Sequence, residues 1–187
     1  MAYKDETLIF ASDKIYYTDE SETELQVMMD WEDDIMKASA DYVCEGGGDI
    51  LEIGFGMGIA ADYIQANSIT SHTIVEIHPQ IIERANAWAV GKSNVTIVEG
   101  DWYTIKDSLS TYDGVFYDTY GEEDWGKFGS TIASLTKSGA KVTWWNNNDS
   151  ATTIQNIDGV EYEVIDVNPP SNSYFNSNKY YLPKKEY

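Results

Sequence analysis

The chain has 187 residues and a formal net charge of −20, from 32 Asp plus Glu against 12 Lys plus Arg. A length of this order makes one ordinary domain with a real core, and the acidic balance argues against DNA or RNA as a partner, because non-specific affinity for nucleic acid comes from neutralising phosphates with Lys and Arg. Apart from Lys184-Lys185 there is no basic cluster, and the single cysteine, Cys44, leaves no disulfide framework and no Cys-rich metal set.

In chain order, residues 7 to 18 (TLIFASDKIYYT) predict two short strands around Ser12-Asp13, a hairpin. From Thr23 to Val43, Leu25, Met28, Trp31, Ile35, Met36 and Val43 keep near-helical spacing and predict one helix, which Gly46-Gly47-Gly48 ends. Cys44 falls on this amphipathic stretch and reads as a buried small hydrophobe; a free thiol points to a cytoplasmic protein. Met1 to Phe10 carries Lys4, Asp5 and Glu6 without a long apolar run, and no stretch reaches the roughly 18 apolar residues of a membrane helix, so neither a signal peptide nor a membrane span is expected.

Asp49 to Ile53 is an apolar strand that stops at three alternate glycines, Gly54, Gly56 and Gly58, before a helix from Ile59 to Ala66. Then follow a strand from His72 to Ile77, a helix begun by Pro79 and stopped by Gly91, a third strand from Asn94 to Val98 and a fourth from Asp113 to Asp118. A helix is expected from Glu122 to Leu135, a fifth strand from Ala140 to Trp145 and a short helix around Thr152 to Ile157. Two last strands, Glu161 to Val167 and Asn178 to Leu182, have no helix between them and are expected to be antiparallel neighbours. Strands alternating with helices imply an α/β fold with a mostly parallel sheet covered on both faces. Ligands in such sheets bind beyond the carboxyl ends of the strands, which here carry acids and aromatic residues.

The turn after the first core strand sets the ligand class. A dinucleotide fingerprint runs G-x-G-x-x-G over a pyrophosphate, whereas this chain has Glu52-Ile-Gly-Phe-Gly-Met-Gly58. An acid at position 52 would repel a pyrophosphate and would suit a sulfonium and an ammonium group. Glu76, at the end of the second core strand, is placed to accept hydrogen bonds from both hydroxyls of a ribose. Trp102, after Asp101, offers a ring for an adenine face or a core side chain.

The acidic-x-G-x-G-x-G pattern resembles motif I of the class I S-adenosylmethionine (SAM) methyltransferases. More narrowly, VMMDWEDDIM (27–36), LEIGFGMGIA (51–60), IVEIHP (74–79), EGDW (99–102) and YDTY (117–120), taken in order, resemble guanidinoacetate N-methyltransferase and equally the fungal protein-arginine N5-methyltransferases. The tail, Asn168-Pro-Pro followed by Lys179-Tyr-Tyr-Leu-Pro183, is similar too, so the resemblance covers about residues 25 to 183. It implies a Rossmann-like, seven-stranded, mostly parallel sheet with an antiparallel last strand, in one methyltransferase domain over residues 1–187. Residues 1–45 would form part of the substrate cleft and residues 46–187 the SAM-binding core.

The same resemblance implies S-adenosyl-L-methionine as cofactor, held by Met36, Glu52, Gly54, Phe55, Gly56, Gly58, Glu76, Ile77, Gly100, Asp101, Trp102 and Asp118. Trp31, Glu32, Asp118, Thr119, Tyr120, Asn147 and Asn148 would bind the acceptor, with Asp118 and Glu32 catalytic and no metal needed. The implied reaction is methyl transfer to a guanidino nitrogen of a small molecule such as guanidinoacetate; arginine, free or in protein, is the alternative acceptor. A non-catalytic SAM-binding module is the rival outside enzymology. The chemistry suits two carboxylates. A guanidinium has a pKa of about 12.5–13.8 and delocalised lone pairs, so bidentate hydrogen bonds must orient one nitrogen and a carboxylate must take its proton.

Two other signals point elsewhere. Asn168-Pro169-Pro170 opens like the Asn-Pro-Pro-aromatic motif of DNA and RNA amino-methyltransferases, but it ends in Ser171 and follows the sixth core strand rather than the fourth. His72 and His78 are the two histidines, too few for a usual zinc set without a Cys pair; His78 reads as a capping or cleft-edge residue.

Overall fold

The computed structural model describes residues 3–122, 124 and 126–187. Strands β1 (Ile9–Phe10), β2 (Lys14–Thr18) and β3 (Glu24–Met29) form a small antiparallel sheet in that order. The turn between β2 and β3 is built by Asp19, whose Oδ1 accepts the N–H groups of Ser21 and Thr23 at 2.8 Å each; a short acceptor side chain mimics a backbone turn here. The helix expected from Thr23 therefore begins later. Glu24–Met29 pairs with β2, from Thr18↔Glu24 to Lys14↔Met29, and helix α1 covers Asp33–Val43. Cross-strand pairing over Leu25 to Met29 outweighs an apolar spacing that fits either period. Cys44 follows α1 as a buried free thiol, and burial first, then Asp41 and Glu52, push its pKa up to about 12.

The large sheet has seven strands. These are β4 (Asp49–Ile53), β5 (Ser71–Glu76), β6 (Val95–Glu99), β7 (Tyr112–Tyr117), β8 (Thr136–Trp144), β9 (Glu161–Asp166) and β10 (Lys179–Glu186), in the order β6-β5-β4-β7-β8-β10-β9. Neighbours are parallel from β6 to β8, and β10 runs antiparallel to both β8 and β9, as the missing crossover helix requires. Helices α2 (Ile59–Ala66), α3 (Pro79–Ala89), α4 (Trp102–Ile105) and α5 (Gly126–Thr131) complete the layers. The helix expected over residues 122–135 is shorter, running as α5 and a 3-10 turn at Ile132–Leu135; Glu123 and Trp125 lie outside the described residues. No helix forms over 152–157, where Asn156 sits at φ 55° and Thr153 Oγ1 hydrogen-bonds Gln155 Oε1. Local side-chain bonds there replace a helical ladder.

Strand β4 is buried on both faces, and this fixes the core. Ile50 joins Ile64, Phe116, Tyr180 and Leu182 beside α1 and α2, while Leu51 and Ile53 join Val115, Tyr117, Phe128 and Trp144 on the opposite face. Each such side chain contributes about 1.5–3 kcal/mol on burial. A third cluster, with Leu8, Ile15, Phe55, Ile81 and Ala85, ties the N-terminal sheet to α3 and the glycine turn. No helix among the described residues is long and apolar enough to cross a membrane.

Candidate active site

Parallel register brings the carboxyl ends of four strands level, with Ile53 opposite Val75 and Tyr117, and Glu76 opposite Glu99. Beyond those ends lies a cleft of about 590 Å³, within the usual range for small-molecule sites. The N-terminal sheet contributes Val27 and Met28 to its wall, and the residues before that sheet contribute Tyr3 and Lys4.

The glycine turn is built around close approaches. Gly54 has φ +94°, and a Cβ on it would lie 1.8 Å from the Asp118 carbonyl oxygen. A Cβ on Gly56 would lie 2.5 Å from Met28 Sδ, which also accepts the Met57 N–H at 3.1 Å. Gly54, Phe55 and Gly56 line the cleft. Gly58 does not: it caps α2 and packs under the Phe55 ring.

Glu76 supports the turn from β5. Its Oε2 accepts the Phe55 N–H at 2.9 Å, and its Oε1 accepts the N–H groups of Ile77 and His78 at 2.8 Å each. The carboxylate is thus held in one orientation at the cleft wall, 5% exposed. Ile77, Gly100, Asp101 and Trp102 line the same end. Asp101 caps α4 through Thr104, and Trp102 is buried with its Nε1–H donating to Glu122. His78 caps α3, accepting the Gln80 N–H on Nδ1, so its Nε2–H donates to the Glu6 carbonyl.

Glu52 departs from the expected placement. It is fully buried and absent from the cleft lining, with Oε2 2.8 Å from His72 Nε2 but out of line for a hydrogen bond. Burial raises its pKa, opposed by His72. Alternation along β4 accounts for this: a side chain one residue from the strand end points into a packed layer instead of into the space beyond the end.

The other end of the cleft brings Glu32 and Asp118 together with Met36, Thr119, Tyr120 and Asn147. Glu32 follows β3, and its Oε1 accepts the Met29 N–H at 2.7 Å and the Tyr174 hydroxyl at 2.6 Å. Burial, with a smaller contribution from Asp118, pushes Glu32 up to about 8; its two hydrogen bonds act the other way. Asp118, just past β7, is pushed up to about 7 by burial and then by Glu52 and Glu76. The cleft thus holds desolvated carboxyls facing a space with one lining cation, Lys4, among the described residues.

Trp31 and Asn148 are not among the lining residues. Trp31 stacks on Tyr174 and Phe175, and Asn148 is taken up by bonds to Asn146 and Thr152. Met28, Trp145, Tyr3 and Tyr174 line the cleft without having been singled out from the sequence. Met28 carried a signal as a member of the 27–36 motif, and Tyr174 as half of an aromatic pair inside the turn-forming segment SNSYFNSN.

A family model described as guanidinoacetate N-methyltransferase matches residues 13–146. Protein arginine N-methyltransferase 2 of Yarrowia lipolytica is 32% identical over 85% of this chain and 40% of its own length. The protein of the same name from Saccharomyces cerevisiae is 30% identical over 98% of this chain and 50% of its own length. The chain thus spans half or less of the length of these curated relatives. Among solved structures, N-methyltransferase NodS from Bradyrhizobium japonicum, in complex with S-adenosyl-L-homocysteine, matches with a TM-score of 0.67 at 14% identity, covering 83% of this chain and 87% of its own. This last likeness shows the fold.

Proposed function

The chain belongs to the guanidinoacetate N-methyltransferase family, and from that premise we propose that it transfers the methyl group of SAM to a guanidino nitrogen. The observation that carries the reading is the meeting of Glu32 and Asp118 in one cleft with the glycine turn and Glu76. The cofactor fits the residues present. Glu76, pinned by three N–H groups, keeps one of its roughly four lone-pair sites, on Oε2, for a ribose hydroxyl. Trp102 and Ile77 provide apolar surface for the adenine, Gly100 and Asp101 its edge, and Gly54, Phe55, Gly56 and Met36 the wall for the methionine part. Gly58 shapes the turn from behind, at the start of α2 and under the Phe55 ring.

When bound, SAM supplies an electrophilic methyl group on a sulfonium. Glu32 and Asp118 hold the planar guanidinium through paired N–H contacts and turn one nitrogen toward that methyl. Asp118 accepts the proton this nitrogen loses as the new C–N bond forms and the sulfur–carbon bond breaks. Binding a cation returns both carboxyls to the ionised form, because an opposite charge at hydrogen-bond distance favours it.

The acceptor divides into two readings. A small guanidino acid such as guanidinoacetate fits the family's name, with Asn147 in the cleft lining for its carboxylate. An arginine side chain is favoured by the curated relatives, and by a lining whose one cation among the described residues is Lys4. Methyl transfer from radiolabelled SAM to guanidinoacetate, free arginine and an arginine-containing peptide tests both. Label on none of them would overturn the proposal.

A further inference from the structure

The connection between β9 and β10 carries a tyrosine to the acceptor end of the cleft, and its neighbours explain why it sits there. Asn172 folds the loop: its Oδ1 accepts the N–H groups of Tyr174 and Phe175 at 3.0 and 2.7 Å, and its Nδ2 donates to the carbonyls of Pro170 and Phe175. Ser173 anchors the loop to β3, its N–H and hydroxyl both donating to Gln26 Oε1 at 3.1 and 2.8 Å. The Tyr174 ring stacks on Trp31 at a centroid distance of 6.2 Å and an interplanar angle of 26°. Phe175 stacks on Trp31 at 5.7 Å, and Trp145 meets Tyr174 and Phe175 edge-on. The hydroxyl of Tyr174 then donates to Glu32 Oε1 at 2.6 Å, within the range of a charge-assisted bond.

Resting on the guanidino reading above, we propose that Tyr174 is a positioning residue of the acceptor site: it fixes Glu32 from a strap between β9 and β10 and leaves one carboxylate oxygen for the guanidinium. With the Met29 N–H and the Tyr174 hydroxyl both on Oε1, that oxygen is saturated on the side away from the acceptor. Oε2 has no hydrogen-bond partner among the described residues and is the atom available to the substrate. The charged and titratable groups facing Glu32 are Asp118 from the end of β7, Tyr174 from the strap and Tyr180 from β10. Of these, Tyr174 alone favours the ionised carboxylate; burial and Asp118 oppose it. Without the hydroxyl, Glu32 would ionise at higher pH and its carboxylate would be free to turn.

Tyr174→Phe in the full chain keeps the stacked ring and removes the hydroxyl. The acceptor kcat/KM is expected to fall about tenfold or more, since a hydrogen bond to a charged group contributes about 1.5–3 kcal/mol. The KM for SAM should stay unchanged, and the rising limb of the pH profile should move to higher pH. Carbon-13 NMR titration of Glu32 gives a readout independent of the acceptor: its midpoint should rise in the variant. A variant with wild-type kcat/KM and an unmoved Glu32 midpoint overturns the proposal, as does a loss of SAM affinity and thermal stability with no change in either pH dependence. If the wild type transfers label to no guanidino acceptor, the guanidino reading fails and the role of Tyr174 toward a guanidinium falls with it. Active wild type with an indifferent variant removes Tyr174 alone.

Discussion

Glu76 and Phe55 are joined by a hydrogen bond of 2.9 Å from the Phe55 N–H to Glu76 Oε2, so the acid at the end of β5 fixes the glycine turn after β4. One side chain therefore shapes the turn and stands at the cleft wall. Glu76→Gln retains an acceptor oxygen but replaces the other with a donor that cannot accept its N–H. Affinity for S-adenosyl-L-homocysteine is predicted to fall at least about tenfold, the cost of about one hydrogen bond to a charge. Calorimetric titration of both proteins checks this, and equal affinities would remove Glu76 from the cofactor site.

Gly54→Ala tests the packing of the turn. The new Cβ would sit at φ +94° and 1.8 Å from the Asp118 carbonyl oxygen. Left-handed backbone costs a non-glycine residue about 1–3 kcal/mol before the clash is counted, which corresponds to a drop in Tm of at least about 2–4 °C for a chain of this size. Because the clash falls on the backbone of Asp118, turnover should be lost even where the variant folds. Thermal melts and methyl transfer measure the two effects separately.

The raised carboxyls give a signed pH dependence. Glu32 titrates near 8 and Asp118 near 7 in the free protein, against unfolded values of about 4. The unfolded chain releases these protons first as pH rises, so their contribution to stability is complete below about pH 4 and is lost by about pH 8. Over pH 5 to 8 the free protein should lose stability from these two groups, and the double variant Glu32→Gln, Asp118→Asn should lose less. A guanidinium acceptor restores ionisation, so its binding at pH 7 should release protons. Binding heats in buffers of different ionisation enthalpy read that release, and proton uptake would contradict the assignment.

Glu32→Gln and Asp118→Asn separate the two ends of the cleft. Each removes a carboxylate charge with little change of shape, and each is predicted to lower turnover at least about a hundredfold while S-adenosyl-L-homocysteine affinity changes less than about threefold. The Asn variant should be the more severe, because it removes the proton acceptor as well as a hydrogen-bond acceptor.

The sheet and the gathering of the glycine turn and Glu76 in one cleft were legible in the sequence because they depend on local signals. The apolar run before Gly54 and acids at strand ends such as Glu76 place themselves once the strands are parallel and in register. What failed depended on pairing partners or on direction. Glu24 to Met29 has apolar residues that suit either period, and only β2 decides that it is a strand. Glu52 stands in the motif but one residue too deep along β4 to reach the ligand space, a matter of side-chain direction. Tyr174 is 142 residues from Glu32 along the chain, and no periodicity encodes that contact.

The most direct test of guanidino methylation is label transfer from SAM, followed by identification of the methylated atom. Wild-type protein is predicted to place the methyl group on a guanidino nitrogen of arginine peptide or guanidinoacetate, and Asp118→Asn to place none while still binding S-adenosyl-L-homocysteine. Label on a carboxylate, hydroxyl or amine acceptor with guanidino compounds untouched, or full activity in Asp118→Asn, would contradict the account.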